Sequence, residues 1–399
     1  MNIDNLWLFI CFLLIFTMIP GLAFIGAGVV REKNSLSQLI QPLMTLPFSF
    51  FIFLLFGFNF IFSDGGGPIL GSLSFSFLSS LEGSGEAIAA IVLKFLFQWG
   101  FFAIAHVLVI GVIAERVSLK KVLLFNTLWG LCVYLPVAFW VWNSNGWIHH
   151  LGAIDFAGGL VVHITTGFTA LALTISLGRR ADYFNLIKKY SNGLVYLGTF
   201  LVWIGWLGFN GGSTKGFNSA SILAIFNSLI SSLASLLVWF VIDLIHTPHK
   251  SYLSCLCISI ISGLVVITPL APYLSHSNAI ILGSLAGFVG NYSVRFMHKV
   301  FNQDDVLDVF SSHGICGLLG SVVGPLLLSG HFLGENNNLI QANFLGSLFV
   351  AIYSFSISLI IVKILGGRES FKVSREVEEE GLDLLHYGES VINIKKGLH

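Results

Sequence analysis

The sequence has little charge. Lys, Arg, Asp and Glu make up 10% of its 399 residues, while 55% are hydrophobic and mean hydropathy is +0.86. Soluble domains carry roughly a quarter charged residues, so the soluble enzyme classes are excluded and the chain reads as an integral membrane protein. Neither sign of charge is in excess. Twenty basic residues face twenty acidic ones, which argues against nucleic acid as a partner. Cysteine is scarce and unpatterned. Cys11, Cys132, Cys255, Cys257 and Cys316 are odd in number, lie in apolar runs and include no C-x-x-C. They read as small core residues, with no disulfide framework and no metal site. No Lys or Arg precedes Arg31, so the first apolar run lacks the basic start of a signal peptide and reads as a first span. The alternating segments of about ten residues that mark a membrane barrel are also missing.

What the sequence has in abundance is long apolar runs, with 42 glycines and 37 phenylalanines to pack them. The runs cover about 5–30, 35–62, 87–114, 119–142, 155–178, 192–211, 219–245, 253–271, 278–297, 309–329 and 340–366. Each is long enough to cross roughly 30 Å of hydrocarbon as a helix. The expected fold is therefore an all-α integral membrane protein of eleven transmembrane helices, since open sheets cannot span a bilayer. One set of alternate connections holds Arg31, Lys33, Arg116, Lys120, Lys121, Arg179, Arg180, Lys188, Lys189, Lys250, Arg295 and Lys299, while the opposite set holds Lys215 alone. That asymmetry predicts the N-terminus outside and the C-terminus in the cytoplasm of a cell membrane. Residues 1–366 form the expected membrane domain. Residues 367–399 turn polar and acidic and read as a solvated, partly helical tail, or as a surface for a regulatory partner.

Within the apolar runs, a few residues are out of place. The stretch Asp155-Phe156-Ala157-Gly158-Gly159-Leu160-Val161-Val162-His163 opens the fifth run. Acids and histidines are costly inside a membrane and face a bundle interior or pore. Asp155 precedes His163 by a little over two helical turns, placing both roughly on one face. The tenth run holds a second lone histidine, His313, in a corresponding place, and the glycine-rich first and sixth runs resemble each other weakly. These features predict an inverted repeat of five helices plus five, followed by an eleventh helix, with the binding site between the halves. Phe101 and Phe209 are placed to stack above the histidines, and Trp142 and Ser213 to lie further out. Each of these residues alone has an ordinary explanation: a buried histidine bonded to a carbonyl, packing phenylalanines, an interfacial tryptophan anchor. Only the combination is specific. An aromatic wall attracts a small cation by ~0.5–2 kcal/mol, an apolar constriction rejects a full charge, and histidine relays protons near neutrality. Together they fit a species that arrives as a cation and crosses as a neutral base. Two histidines without further ligands make a poor metal site, so an intramembrane metalloenzyme is disfavoured.

Over nearly its whole length the sequence resembles the ammonium transporter family (Amt/Mep/Rh). The resemblance rests on Asp155-Phe156-Ala157-Gly158-Gly159-x-Val161-Val162-His163, with Phe97-Gln98, Phe101, Ala114-Glu115-Arg116, Trp142, Gly205-Trp206-x-Gly208-Phe209-Asn210-x-Gly212-Ser213, Thr268-Pro269, Asp308-Val309-Phe310-x-x-His313-Gly314 and Gly381-Leu382-Asp383. Trp142 and Ser213 resemble the Amt/Mep branch, of bacterial type. The resemblance implies a homotrimer with one pore per subunit, no cofactor and no enzymatic activity. Phe101, Trp142 and Ser213 would bind external ammonium or methylammonium, Phe101 and Phe209 would gate, and His163 with His313 would line the pore. Asp155, Phe97, Gln98 and Trp206 would support the site. A PII signal protein would dock at the cytoplasmic face. His106, Ser259, Ser262, Pro325 and Tyr387 depart from the family pattern. The alternatives are an ammonium sensor and an Rh-like ammonia or methylamine channel.

Overall fold

The computed structural model describes residues 2–74, 77–83, 85–181, 183, 189–246, 253–335 and 338–391. The basic residues Lys188, Lys250, Lys395 and Lys396 lie outside them. Eleven helical segments run antiparallel in a bundle: α1 (Ile3–Val29), α2 (Glu32–Phe62), α3 (Glu86–Val112), α4 (Leu119–His150), α5 (Gly159–Leu177), α6 (Asn192–Gly212), α7 (Ser219–His246), α8 (Leu253–Ile267), α9 (His276–Lys299), α10 (Phe310–Leu327) and α11 (Leu339–Ile364). Among the described residues there is no strand, only an isolated bridge between Gly66 and Gly71. Among the described residues, ten segments are long and apolar enough to cross a membrane. The expected eleventh, α8, has 15 helical residues. The run to 271 does not stay helical because Pro269 disfavours helix at the residue before it, and the chain turns at Thr268–Leu270.

Small residues decide which helices touch. α1 lies antiparallel along α6, and a Cβ on Gly198 would come within 2.4 Å of the Gly21 carbonyl. α5 and α10 cross as closely, where a Cβ on Gly167 would sit 2.2 Å from Gly314 Cα. Such small-residue crossings replace the hydrophobic drive that lipid removes. α3 is the most enclosed span and stands at the centre of the bundle. Ser259 and Ser262 fit among these helices because each hydroxyl bonds back to its own helix, to the carbonyls of Leu256 and Ile258. Pro325 forms the 3₁₀ turn Gly324–Leu327 that closes α10. Cys132 is exposed on the bundle surface, against the expectation of five core cysteines, whereas Cys11, Cys257 and Cys316 are buried.

At the end of the bundle that carries the tail, the Ala114-Glu115-Arg116 motif ties the loops together. Glu115 pairs with Arg31 at 2.5 Å and Arg180 at 2.9 Å, and Arg180 pairs with Asp304 at 2.8 Å. Arg116 is fully buried and bonds the Gly178 carbonyl. The tail packs onto this network instead of standing in solvent. Glu378 is buried between Lys372 and the Ala181 N–H. Asp383 accepts the N–H groups of Leu36 and Ser37, both at 2.8 Å, and Phe371 packs on Phe125. The composition of the tail signalled water, but Glu378 and Asp383 accept loop N–H groups and Phe371 meets the Phe125 ring.

Candidate functional site

A cavity of about 700 Å³ opens at the end opposite the tail. Phe101 forms its floor, with Trp142, Ser213 and Gln98 around it. Trp142 is held by its indole N–H, which donates to the Asp155 carbonyl at 3.1 Å. Its ring meets Phe101 edge-on at 5.8 Å. The Ser213 hydroxyl donates to the Phe209 carbonyl at 2.9 Å, which turns its lone pairs toward the cavity. Gln98 Oε1 is buried without a hydrogen-bond partner. The Asp155 carboxylate does not enter the cavity as a free ligand. It caps α5, accepting the N–H groups of Gly158, Gly159, Leu160 and Val161 at 2.5–3.1 Å. The sequence did not single out Lys94, which lines the same cavity with its ammonium over the Phe62 ring at 5.1 Å.

Below the floor, Phe101 and Phe209 stack face to face with centroids 4.0 Å apart, closing the path. Phe97 packs against Phe101 at 5.2 Å. Beneath the stack lies an enclosed pocket of about 10 Å³, lined by Met18, Ile104, Leu108, Trp206, His163 and His313. That is at most about the room of one water. His163 Nδ1 and His313 Nδ1 are 3.1 Å apart, and the rings are 1% and 3% exposed. Trp206 stacks on His163 at 5.2 Å and donates to Thr268 Oγ1 at 3.0 Å. One imidazole donates and the other accepts in the Nδ1 contact, so the pair shares a single proton. Both histidines sit on π-turns, Gly159–Ile164 and Phe310–Ile315. The extra residue in such a turn redirects a side chain, and the Gly167–Gly314 crossing brings the two turns together.

Past His313 a second cavity of about 200 Å³ leads toward the tail end. Asp304, Asp305, Asp308 and His298 line it. Asp308 accepts from His298 Nε2 at 2.7 Å. The sequence reading passed over Asp305. A signal for it was present: Asp305 precedes His313 by eight residues, as Asp155 precedes His163. His106 lies off the path, its ring nitrogens against the carbonyls of Phe102 and Asn126.

Two cavities separated by a ring stack and a dry histidine pair, inside a bundle of membrane-length helices, define a transporter for a very small solute. The Ammonium Transporter Family profile matches residues 6–392. Ammonium transporter Amt1 of Archaeoglobus fulgidus is 33% identical over 96% of this chain and 97% of its own length. The ammonium transporter of Bacillus subtilis is 33% identical over 97% of each. Among solved structures, one described as a sensor Amt protein matches with a TM-score of 0.89 at 25% identity, covering 97% of this chain and 98% of its own. Mep2 of Candida albicans matches with a TM-score of 0.82 at 29% identity, covering 92% of this chain and 84% of its own. The chain belongs to the ammonium transporter family, among relatives of the Amt/Mep kind, and is a multi-pass membrane protein.

Proposed function

We propose that this ammonium transporter recruits ammonium at Phe101, Trp142 and Ser213, deprotonates it, and conducts ammonia past the Phe101–Phe209 gate while His163 and His313 relay the proton. The observation that carries this reading is the 3.1 Å contact between two imidazoles in a lumen too small for a water column. Ammonium binds the aromatic walls as a cation. A charge cannot pass the ring stack cheaply, but neutral ammonia can. Potassium has no proton to give up, so it is rejected at the stack. Asp155 holds Trp142 and the start of α5 in place, Phe97 and Gln98 back the wall, and Trp206 braces His163.

The coarser framework is completed in the same way. α8 is the eleventh crossing, short because Pro269 ends it inside the membrane. α1–α5 and α6–α10 are inverted repeats, a reading supported by the antiparallel α1–α6 and α5–α10 contacts. The basic tail end faces the cytoplasm of a cell membrane and the N-terminus faces out. Residues 1–366 are the transport domain and 367–399 its cytoplasmic tail. Family membership supports a homotrimer, methylammonium as a second substrate, and PII docking at the tail end. A second reading, ammonium sensing, has one specific support, the likeness to the sensor Amt structure.

Ammonium and potassium currents in proteoliposomes test the proposal. Replacing His163 and His313 together with leucine should abolish ammonium current and leave assembly intact. An ammonium-selective current of wild-type size in the double variant would move selectivity to the cavity mouth. Saturable ammonium binding by the wild type with no flux would favour the sensor.

A further inference from the structure

Asp155 and Asp305 hold equivalent positions and are used differently. Each lies eight residues before its histidine. Three residues after each comes a left-handed residue, Gly158 at φ 103° and Asp308 at φ 52°. Each then enters a π-turn. Asp155 commits both oxygens to four backbone N–H groups. Asp305 Oδ2 accepts the Phe310 N–H at 2.8 Å, and Oδ1 is buried with no hydrogen-bond partner. The residue is 7% exposed and lines the cavity that begins at His313. A purely structural cap does not leave a buried carboxylate oxygen unpaired, because that forfeits a charge-assisted bond.

The groups around Asp305 narrow its use. Asp304 is taken by Arg180 and Arg116, and Asp308 by His298, which also touches the Tyr183 hydroxyl at 3.3 Å. Arg180 and Lys189 line the cavity further out. Among the described residues lining this cavity, Asp305 is thus the acid with a buried carboxylate oxygen that has no hydrogen-bond partner. The cavity has room for several waters between it and His313.

We infer that Asp305 returns the proton to ammonia in the tail-end cavity and so forms an exit site for ammonium. The proton taken from ammonium at the mouth passes from His163 to His313 and through cavity water to the Asp305 carboxylate, giving the neutral acid. Ammonia arriving through the lumen takes that proton, leaving carboxylate and ammonium, and the ammonium departs. Atoms and charge balance: one ammonium enters, one leaves, and Asp305 is regenerated. Burial, then the neighbouring Asp308 carboxylate, push the Asp305 carboxyl up to about 6, against the pull of the Phe310 and Val309 N–H groups and of His298. A group at that value both accepts and donates near neutrality.

The inference rests on the transport reading, and the test separates the two. Ammonium-evoked current is recorded in proteoliposomes while pH is varied on the tail side alone. Asp305→Asn keeps the size of the side chain and an oxygen for the Phe310 N–H, so a merely structural role should survive it. In the wild type, current should depend on tail-side pH with an inflection near 6. Asp305→Asn should lose that inflection and at least about tenfold of the current, with half-saturating ammonium unchanged. Asp305→Glu, which keeps a titrating acid, should recover current with a shifted inflection. Wild-type current and pH profile in Asp305→Asn would overturn the proposal and leave transport standing, as would ammonium flux without current in the wild type. Absence of all ammonium flux in the wild type would remove the transport reading and this proposal with it. If Asp305→Asn does not assemble, an unchanged inflection in Asp305→Glu overturns the proposal on its own.

Discussion

Single residues carried most of the legible information. His163, His313 and Asp155 stood out because a polar side chain in an apolar run must repay its desolvation, and the structure brings the histidines to 3.1 Å. Asp305 did not stand out, because an acid just ahead of an apolar run looks like any helix start; only the spacing to His313 separates it. Lys94 lies within the third apolar run and carries no motif of its own. It lines the mouth together with Lys215, while Asp64 supplies an opposing charge. Two ammonium groups at the entrance oppose an incoming cation. Lys94→Gln is therefore expected to lower half-saturating ammonium about two- to fivefold at low salt, with the difference shrinking as ionic strength rises; concentration series at two salt levels check it. Asp305 has a stability consequence as well. Its carboxyl is raised above the ordinary 3.8 to about 6, so the folded state favours the protonated form. That contribution is fully present below about pH 3.8 and is lost as pH rises through about 6. Asp305→Asn should thus unfold at higher temperature than wild type at pH 7, by about 1–3 kcal/mol, and the gap should close by pH 4 in thermal melts.

At the scale of elements, the helices were legible from length and hydropathy, because in lipid only a helix pairs its own backbone. Their irregularities were not. The π-turns that aim His163 and His313 are set by packing between spans, and no local composition marks them. The start of α5 at Gly159, four residues after the expected start, follows from Asp155 serving as its cap. The α5–α10 crossing gives the sharpest test. At Gly167 a Cβ would meet the Gly314 backbone, which cannot rotate away. Gly167→Ala should destabilise the protein by about 1–3 kcal/mol and reduce transport by separating the histidines. Gly334→Ala, where a Cβ meets nothing within 4 Å, should do neither. Detergent melts and ammonium flux on both variants decide it.

For the molecule as a whole, the tail end behaves as one assembly of loops and tail, which the sequence presented as separate polar stretches. The Asp383 carboxylate joins them through the Leu36 and Ser37 N–H groups. Asp383→Ala leaves both donors without that acceptor. It should release the tail, at a cost of roughly 1.5–3 kcal/mol per charge-assisted bond, and raise amide exchange at residues 34–37 while the spans stay protected. Exchange mass spectrometry reads this directly, and unchanged protection at those amides would mean that the tail is held elsewhere. The two cavities have an effect of their own on the scale of the bilayer. Water reaching in from both faces brings the bulk potentials to within a short dry interval, the ring stack and the histidine pair around a pocket of about 10 Å³. The membrane voltage then falls almost entirely across that interval. On the proposed relay, a proton handed from one side of the histidine pair to the other would work against nearly the full potential, about 2.3 kcal/mol per 100 mV, while the ammonia beside it would feel none. The same short barrier would then make the proton's step voltage-dependent and leave the passage of its partner indifferent to voltage.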